Sequence, residues 1–103
     1  MNNVLTDRME ELRELCLRYD VNTMHAFGSV CTDQFNDNSD IDILISFKNL
    51  SIEQYTDNYF ELHYQLQDLL KRDIDLLTVN SLSNPYFIKG VEKTKQLIYA
   101  AWD

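Results

Sequence analysis

Glycine and proline are scarce in this chain: its 103 residues hold two Gly and one Pro. No Ser/Gly-rich run or charge block reads as a linker. The chain is therefore expected to be one domain over 1–103, with room for one core and none for a second. No stretch approaches the ~20 apolar residues of a membrane span. The opening Met1-Asn2-Asn3-Val4 lacks the basic start and apolar run of a signal peptide. Cysteine is equally sparse. Cys16 and Cys31 make a poor disulfide framework, and with no export signal the expectation is reduced thiols in a cytoplasm. Basic residues are outnumbered, 9 Lys and Arg against 17 Asp and Glu, for a formal net charge of −8. Such a balance argues against long-range attraction to nucleic acid, which needs a basic surface. It leaves room for a basic protein partner or for divalent cations.

What the chain does have is apolar material, at 45% hydrophobic and 12% aromatic, enough for a packed fold rather than disorder. Leu5, Met9, Leu12, Cys16 and Tyr19 recur at steps of three and four, which predicts a helix over 4–19. Thr23 to Phe27 is a short apolar run ending at Gly28 and reads as a strand. Ser29 to Phe35 suits a short helix, and Asn36-Asp37-Asn38-Ser39 a polar turn. Asp40 to Phe47 is a strand whose period of two sets Ile41, Ile43, Ile45 and Phe47 against Asp40, Asp42, Leu44 and Ser46. Ser51 and Gln54 form a capping-box pair for a long helix with Ile52, Tyr55, Tyr59, Leu62, Leu66 and Leu69 as its stripe. A third strand covers about Asp73 to Val79. Asn84-Pro85 then caps a last helix whose face is Phe87, Val91, Ile98 and Trp102. The expected order is αβ(α)βαβα, an α/β (α+β) fold with a small mixed sheet flanked by helices. Asp40-Ile41-Asp42-Ile43-Leu44 is echoed by Asp73-Ile74-Asp75-Leu76-Leu77, too short an echo for a repeated domain.

The chemistry sits in the carboxylates. Asp40 and Asp42 project from one strand face, about 7 Å apart along the backbone. Like charges so close oppose folding unless a cation lies between them. Mg²⁺ suits the place, since it takes hard oxygen ligands and completes its shell with water and phosphate. Asp75, flanked by Ile74 and Leu76, is the best-placed third carboxylate. The Gly28-Ser29 turn allows close backbone approach to a ligand and favours an anion at the start of the next helix. A phosphate at Gly28-Ser29 with its metal on Asp40 and Asp42 makes a coherent nucleoside-triphosphate site for phosphoryl-group transfer. A calcium loop is the weaker reading of Asn38, Asp40 and Asp42, because the glycine and distant Glu of such a loop are missing.

Gly28-Ser29, ten intervening residues and Asp40-x-Asp42 resemble the signature of the nucleotidyltransferase superfamily that includes DNA polymerase β. With Ser39 to Ile45, Ile74-Asp75-Leu76-Leu77 and Asn84-Pro85, nearly the whole chain resembles the minimal nucleotidyltransferases (MNT). The resemblance implies the palm-like fold of that superfamily. It also implies Mg²⁺ on Asp40, Asp42 and Asp75, with Asp75 helping to deprotonate the attacking hydroxyl, and ATP phosphates held by Gly28 and Ser29. It further implies transfer of AMP to a hydroxyl of a partner protein, a HEPN-domain toxin, for which the chain is the antitoxin. An MNT fold that neutralises its partner only by binding stays open beside it. Transfer to a small molecule such as an aminoglycoside ranks last, for want of an acceptor domain.

One departure stands out. Many such proteins continue Gly-Ser-x-Ala-Arg-Gly, whereas this chain reads Gly28-Ser29-Val30-Cys31-Thr32-Asp33, and Arg72 or Lys71 is a candidate replacement cation. His25 and His63 read as structural histidines, Cys31 as a small buried residue, and Asp73 as a solvated partner of Arg72. Tyr55, Tyr59 and Tyr64 read mainly as core, any exposed ring being suited to a protein interface.

Overall fold

A computed structural model describes residues 3–101 of the chain. Its elements run α1 (Asn3–Thr6), α2 (Met9–Arg18), β1 (Val21–Phe27), β2 (Ile41–Phe47), α3 (Ile52–Leu70), β3 (Ile74–Thr78), α4 (Pro85–Thr94) and β4 (Gln96–Ala100), with 3₁₀ turns at Gly28–Cys31 and Val79–Ser81. Local chemistry explains most boundaries. Ser51 Oγ accepts the Gln54 N–H at 3.2 Å while Ser51 N–H reaches Gln54 Oε1 at 3.4 Å, closing both halves of the capping box of α3. Asn84 Oδ1 accepts the Tyr86 and Phe87 N–H groups, and Pro85 occupies the first helical position of α4.

The four strands form one mixed sheet in the order β3-β2-β1-β4. β2 runs antiparallel to β1 and parallel to β3. The sequence echo is this parallel pair: Ile41, Asp42, Ile43 and Leu44 lie opposite Ile74, Asp75, Leu76 and Leu77. Each apolar residue of one strand thus meets its counterpart, and Asp42 meets Asp75.

Ile41, Ile43 and Ile45 are buried with Leu62, Leu66 and Leu70 of α3 and Leu12, Leu15 and Cys16 of α2. Burying one such side chain contributes about 1.5–3 kcal/mol, so this layer carries the fold. The opposite face has a thinner cover, in which Val91 of α4 packs with Phe27 and Leu44, and Leu77 and Leu82 flank them. The outer edge of β3 is closed by three α3 side chains four residues apart. Tyr59 OH donates to Leu76 O at 2.6 Å, His63 Nε2 meets Ile74 O at 2.8 Å, and Gln67 Oε1 accepts Ile74 N–H at 3.2 Å. These bonds satisfy groups that would otherwise invite another strand.

Several expectations need correcting. The last helix ends at Thr94, and Gln96–Ala100 is a strand antiparallel to β1. Val91 and Ile98 are seven apart and both buried, so a helical period fits them by coincidence; over a short apolar run periodicity alone cannot separate the two states. Trp102 lies outside the described residues. The predicted helix over 29–35 is only the 3₁₀ turn Gly28–Cys31. The first helix is divided at Asp7-Arg8, and Ile52 is 84% exposed rather than part of the α3 stripe. β2 starts at Ile41, leaving Asp40 just ahead of it.

Candidate functional site

Strand directions bring the site together. The C-terminal end of β1 and the N-terminal ends of β2 and β3 share one end of the sheet, with Phe27 opposite Asp42 and Asp42 opposite Asp75. Neighbouring strands lie about 4.8 Å apart, so the two carboxylates rise side by side. Their face follows from alternation. Leu44, two residues beyond Asp42, and Leu77, two beyond Asp75, belong to the thin cluster under α4. Asp40 is exposed at the mouth of β2, and Asp75 is exposed on the edge strand.

Asp42 is half-buried, and its neighbours explain its electrostatics. Burial, then Asp75, then Asp40 push its carboxyl from an ordinary 3.8 up to about 6. No ion pair among the described residues involves Asp40, Asp42 or Asp75. The repulsion is thus left for a cation to relieve. Among the described residues no three His, Cys, Asp or Glu side chains are gathered so as to hold a metal ion, Asp40, Asp42 and Asp75 included. The donor set still fits Mg²⁺, which binds through one or two carboxylates and takes the rest of its shell from substrate phosphate and water.

Gly28 has a specific reason to be glycine. Its φ is +73°, and an added Cβ would run into Asp42 Oδ2. The open space at this turn therefore belongs first to the Asp42 carboxylate. The Gly28 N–H donates to Thr94 Oγ1 at 2.9 Å, and Thr94 Oγ1 donates in turn to Gly90 O at 3.2 Å. The end of α4 thus holds the turn, and this amide is not free for an anion. The Ser29 hydroxyl has no partner among the described residues, which leaves it available to a ligand.

The neighbours of the motif are mostly committed elsewhere. Thr32 Oγ1 donates to Ser29 O at 3.0 Å and accepts Gln34 N–H at 3.2 Å, finishing the turn. Arg72 grips the loop before β2 and is no free phosphate cation: its Nη1 donates to Asn36 O at 2.9 Å and Ser39 O at 2.8 Å. Lys71 ends α3 with φ +55° and pairs with Asp68. The expected solvated Asp73–Arg72 pair does not form, since Arg72 pairs with Asp37 instead, while Asp73 O accepts the Ile41 N–H. His63 is structural, as expected, bonded to β3. His25 is held below the ordinary histidine value by burial and then Lys95. Cys31 is only half-buried. Tyr64 is 67% exposed and not core. Sequence reasoning missed Thr94, which lies 66 residues from Gly28 and carries no motif.

The chain has relatives among known proteins over most of its length. The family described as "Polymerase beta, Nucleotidyltransferase" matches residues 10–102, and the chain belongs to that family. Within it, the chain is 36% identical over 100 residues to a Methanocaldococcus jannaschii protein provisionally named a protein adenylyltransferase, covering 96% of this chain and 93% of that one. It is 30% identical over 101 residues to the protein adenylyltransferase MntA of Thermococcus cleftensis, covering 96% and 91%. Two solved structures share the fold. One is a toxin–antitoxin with AMP-PNP, at TM-score 0.69 and 22% identity, covering 90% of this chain and 73% of that one. The other is a tri-AMPylated Shewanella oneidensis HEPN toxin in complex with MNT antitoxin, at TM-score 0.64 and 19% identity, covering 93% and 72%.

Proposed function

We propose that the chain is a Mg²⁺-dependent nucleotidyltransferase that moves AMP from ATP to a hydroxyl of a HEPN-type toxin in the cytoplasm, acting as its antitoxin. The single domain 1–103 supplies the donor site, and the toxin supplies the acceptor. The observation that carries this reading is the Asp42–Asp75 register beneath the Gly28 turn, a carboxylate pair that makes no ion pair among the described residues. Names of relatives such as protein adenylyltransferase MntA support the chemistry, and the HEPN toxin complex of a fold neighbour supports the partner.

In this reading Asp40, Asp42 and Asp75 hold the metal, and Ser29, beside Gly28, steadies the triphosphate. Bound Mg²⁺ would offset the charge of the phosphates and of the departing pyrophosphate. Asp75, exposed on its edge strand, faces an incoming partner and takes the proton of the acceptor hydroxyl. The hydroxyl oxygen bonds to the α-phosphorus as the bond to the bridging α–β oxygen breaks, and pyrophosphate leaves. For transfer to outrun hydrolysis, the partner must also cover the site and exclude water.

Neutralisation by binding alone is a second reading, favoured by one observation: Thr32 stands where a cation is usual, and its hydroxyl is tied to Ser29 O. Intact-mass spectrometry of the toxin after incubation with the protein, ATP and Mg²⁺ separates the two. Added AMP masses that disappear with Asp40→Ala, Asp42→Ala or Asp75→Ala are expected. No added mass, with the toxin still neutralised by the triple-alanine variant, would establish the binding reading.

A further inference from the structure

We infer that Arg72 is a positioning residue that sets the place of Asp40, an inference that rests on Asp40 being a metal-holding carboxylate as proposed above. Asp40 is exposed, makes no ion pair among the described residues and precedes its strand, so no described ion pair of its side chain fixes it. Its backbone neighbours are fixed instead. On one side, Ser39 O accepts Arg72 Nη1 at 2.8 Å. On the other, Ile41 N–H donates to Asp73 O at 3.1 Å. Two consecutive residues leading into β3 thus pin the residues immediately before and after Asp40.

The grip of Arg72 extends through the whole loop. Its Nη1 also takes Asn36 O at 2.9 Å, its Nη2 stands 3.8 Å from Asp37 Oδ1, and its guanidinium carbon lies 4.3 Å above the Phe35 ring. The side chain is only 18% exposed. The loop is itself wound around Asn36, which accepts Asn38 N–H on Oδ1 and Ser39 N–H on its carbonyl. A planar, forked donor that also stacks is what this arrangement needs, and lysine offers neither property. The same β3 strand carries Asp75, so the brace ties the third carboxylate to the first.

The test uses Mn²⁺ as a spectroscopic stand-in, with binding read by electron paramagnetic resonance in the presence of a non-hydrolysable ATP analogue. Arg72→Lys keeps the charge and loses the fork. It is expected to weaken Mn²⁺ about tenfold, the usual scale for losing a group that orients a metal-holding side chain. Amide exchange over 36–41 should accelerate, while affinity for the analogue without metal stays unchanged. In an Asp40→Asn background, Arg72→Lys should cost nothing further, because the two act as one unit. Phe35→Leu removes the stack while keeping an apolar side chain against the core, and should move Mn²⁺ affinity the same way to a smaller extent, which keeps the test decisive if Arg72→Lys folds poorly. Weakened metal-free analogue binding would make Arg72 a phosphate ligand and overturn the inference; so would unchanged Mn²⁺ affinity or full additivity with Asp40→Asn. A wild-type chain that binds Mn²⁺ and analogue yet adds nothing to a toxin would fail the proposed transfer and leave this inference standing.

Discussion

Half-buried and flanked by Asp75 and Asp40, the Asp42 carboxyl holds its proton up to about pH 6 instead of 3.8. The sign of the consequence follows from linkage. Between those values the folded state binds more protons than the unfolded one, so this group makes the metal-free protein more stable as pH falls from about 7 towards 4. Asp42→Asn should remove that dependence and raise metal-free stability above pH 7 by roughly 1 kcal/mol, discounted because solvent screens a half-buried group. Urea unfolding at pH 4 and pH 8 checks it, and a strongly destabilised variant would make Asp42 a structural residue. Transfer needs the ionised carboxylate, and bound Mg²⁺ favours that form, so a kcat/KM profile of the wild type should rise through an apparent pKa below the metal-free value of about 6. Thr94 acts on the same corner. Thr94→Val strands the Gly28 N–H and should cost about 1–3 kcal/mol, while Thr94→Ser keeps the acceptor and most of the stability. Equal thermal midpoints for the two variants would remove Thr94 from the account.

Among the elements, α3 does two jobs. Its Leu62, Leu66 and Leu70 fill the main core, and its Tyr59, His63 and Gln67 occupy the outer edge of β3. Burial, then Asp75, then Tyr55 raise the Tyr59 phenol above its ordinary value, so it stays protonated and donates to Leu76 O. Tyr59→Phe should therefore cost about 1 kcal/mol in urea unfolding, with faster amide exchange in β3. A neutral effect would mean that water serves the Leu76 carbonyl equally well. The long helix was legible because its cap is a local sequence pattern. β4 was not, because Leu97-Ile98-Tyr99 gains strand geometry only by pairing with β1.

Over the whole molecule, a net charge of −8 and carboxylates that make no ion pair among the described residues make divalent cations the natural counterweight. Mg²⁺ and ATP together should raise the thermal midpoint by more than the sum of each alone, since each completes a site that the other begins. Strict additivity in a thermal shift titration would refute a metal bridge between carboxylates and phosphate. Spacing and alternation, which are local properties of the chain, were enough to read the fold class, the neighbouring strands of Asp42 and Asp75, and a turn at Gly28-Ser29. The parallel echo of β2 and β3 was also already written in residue order. Tertiary structure alone decided that Gly28 makes room for Asp42, that Thr94 holds the Gly28 amide, and that Arg72 is spent on a loop rather than offered to phosphate. Each of these joins residues that are not neighbours in sequence. Contacts of that kind arise only when strand order and register bring the two ends together, and no local pattern in the chain encodes them.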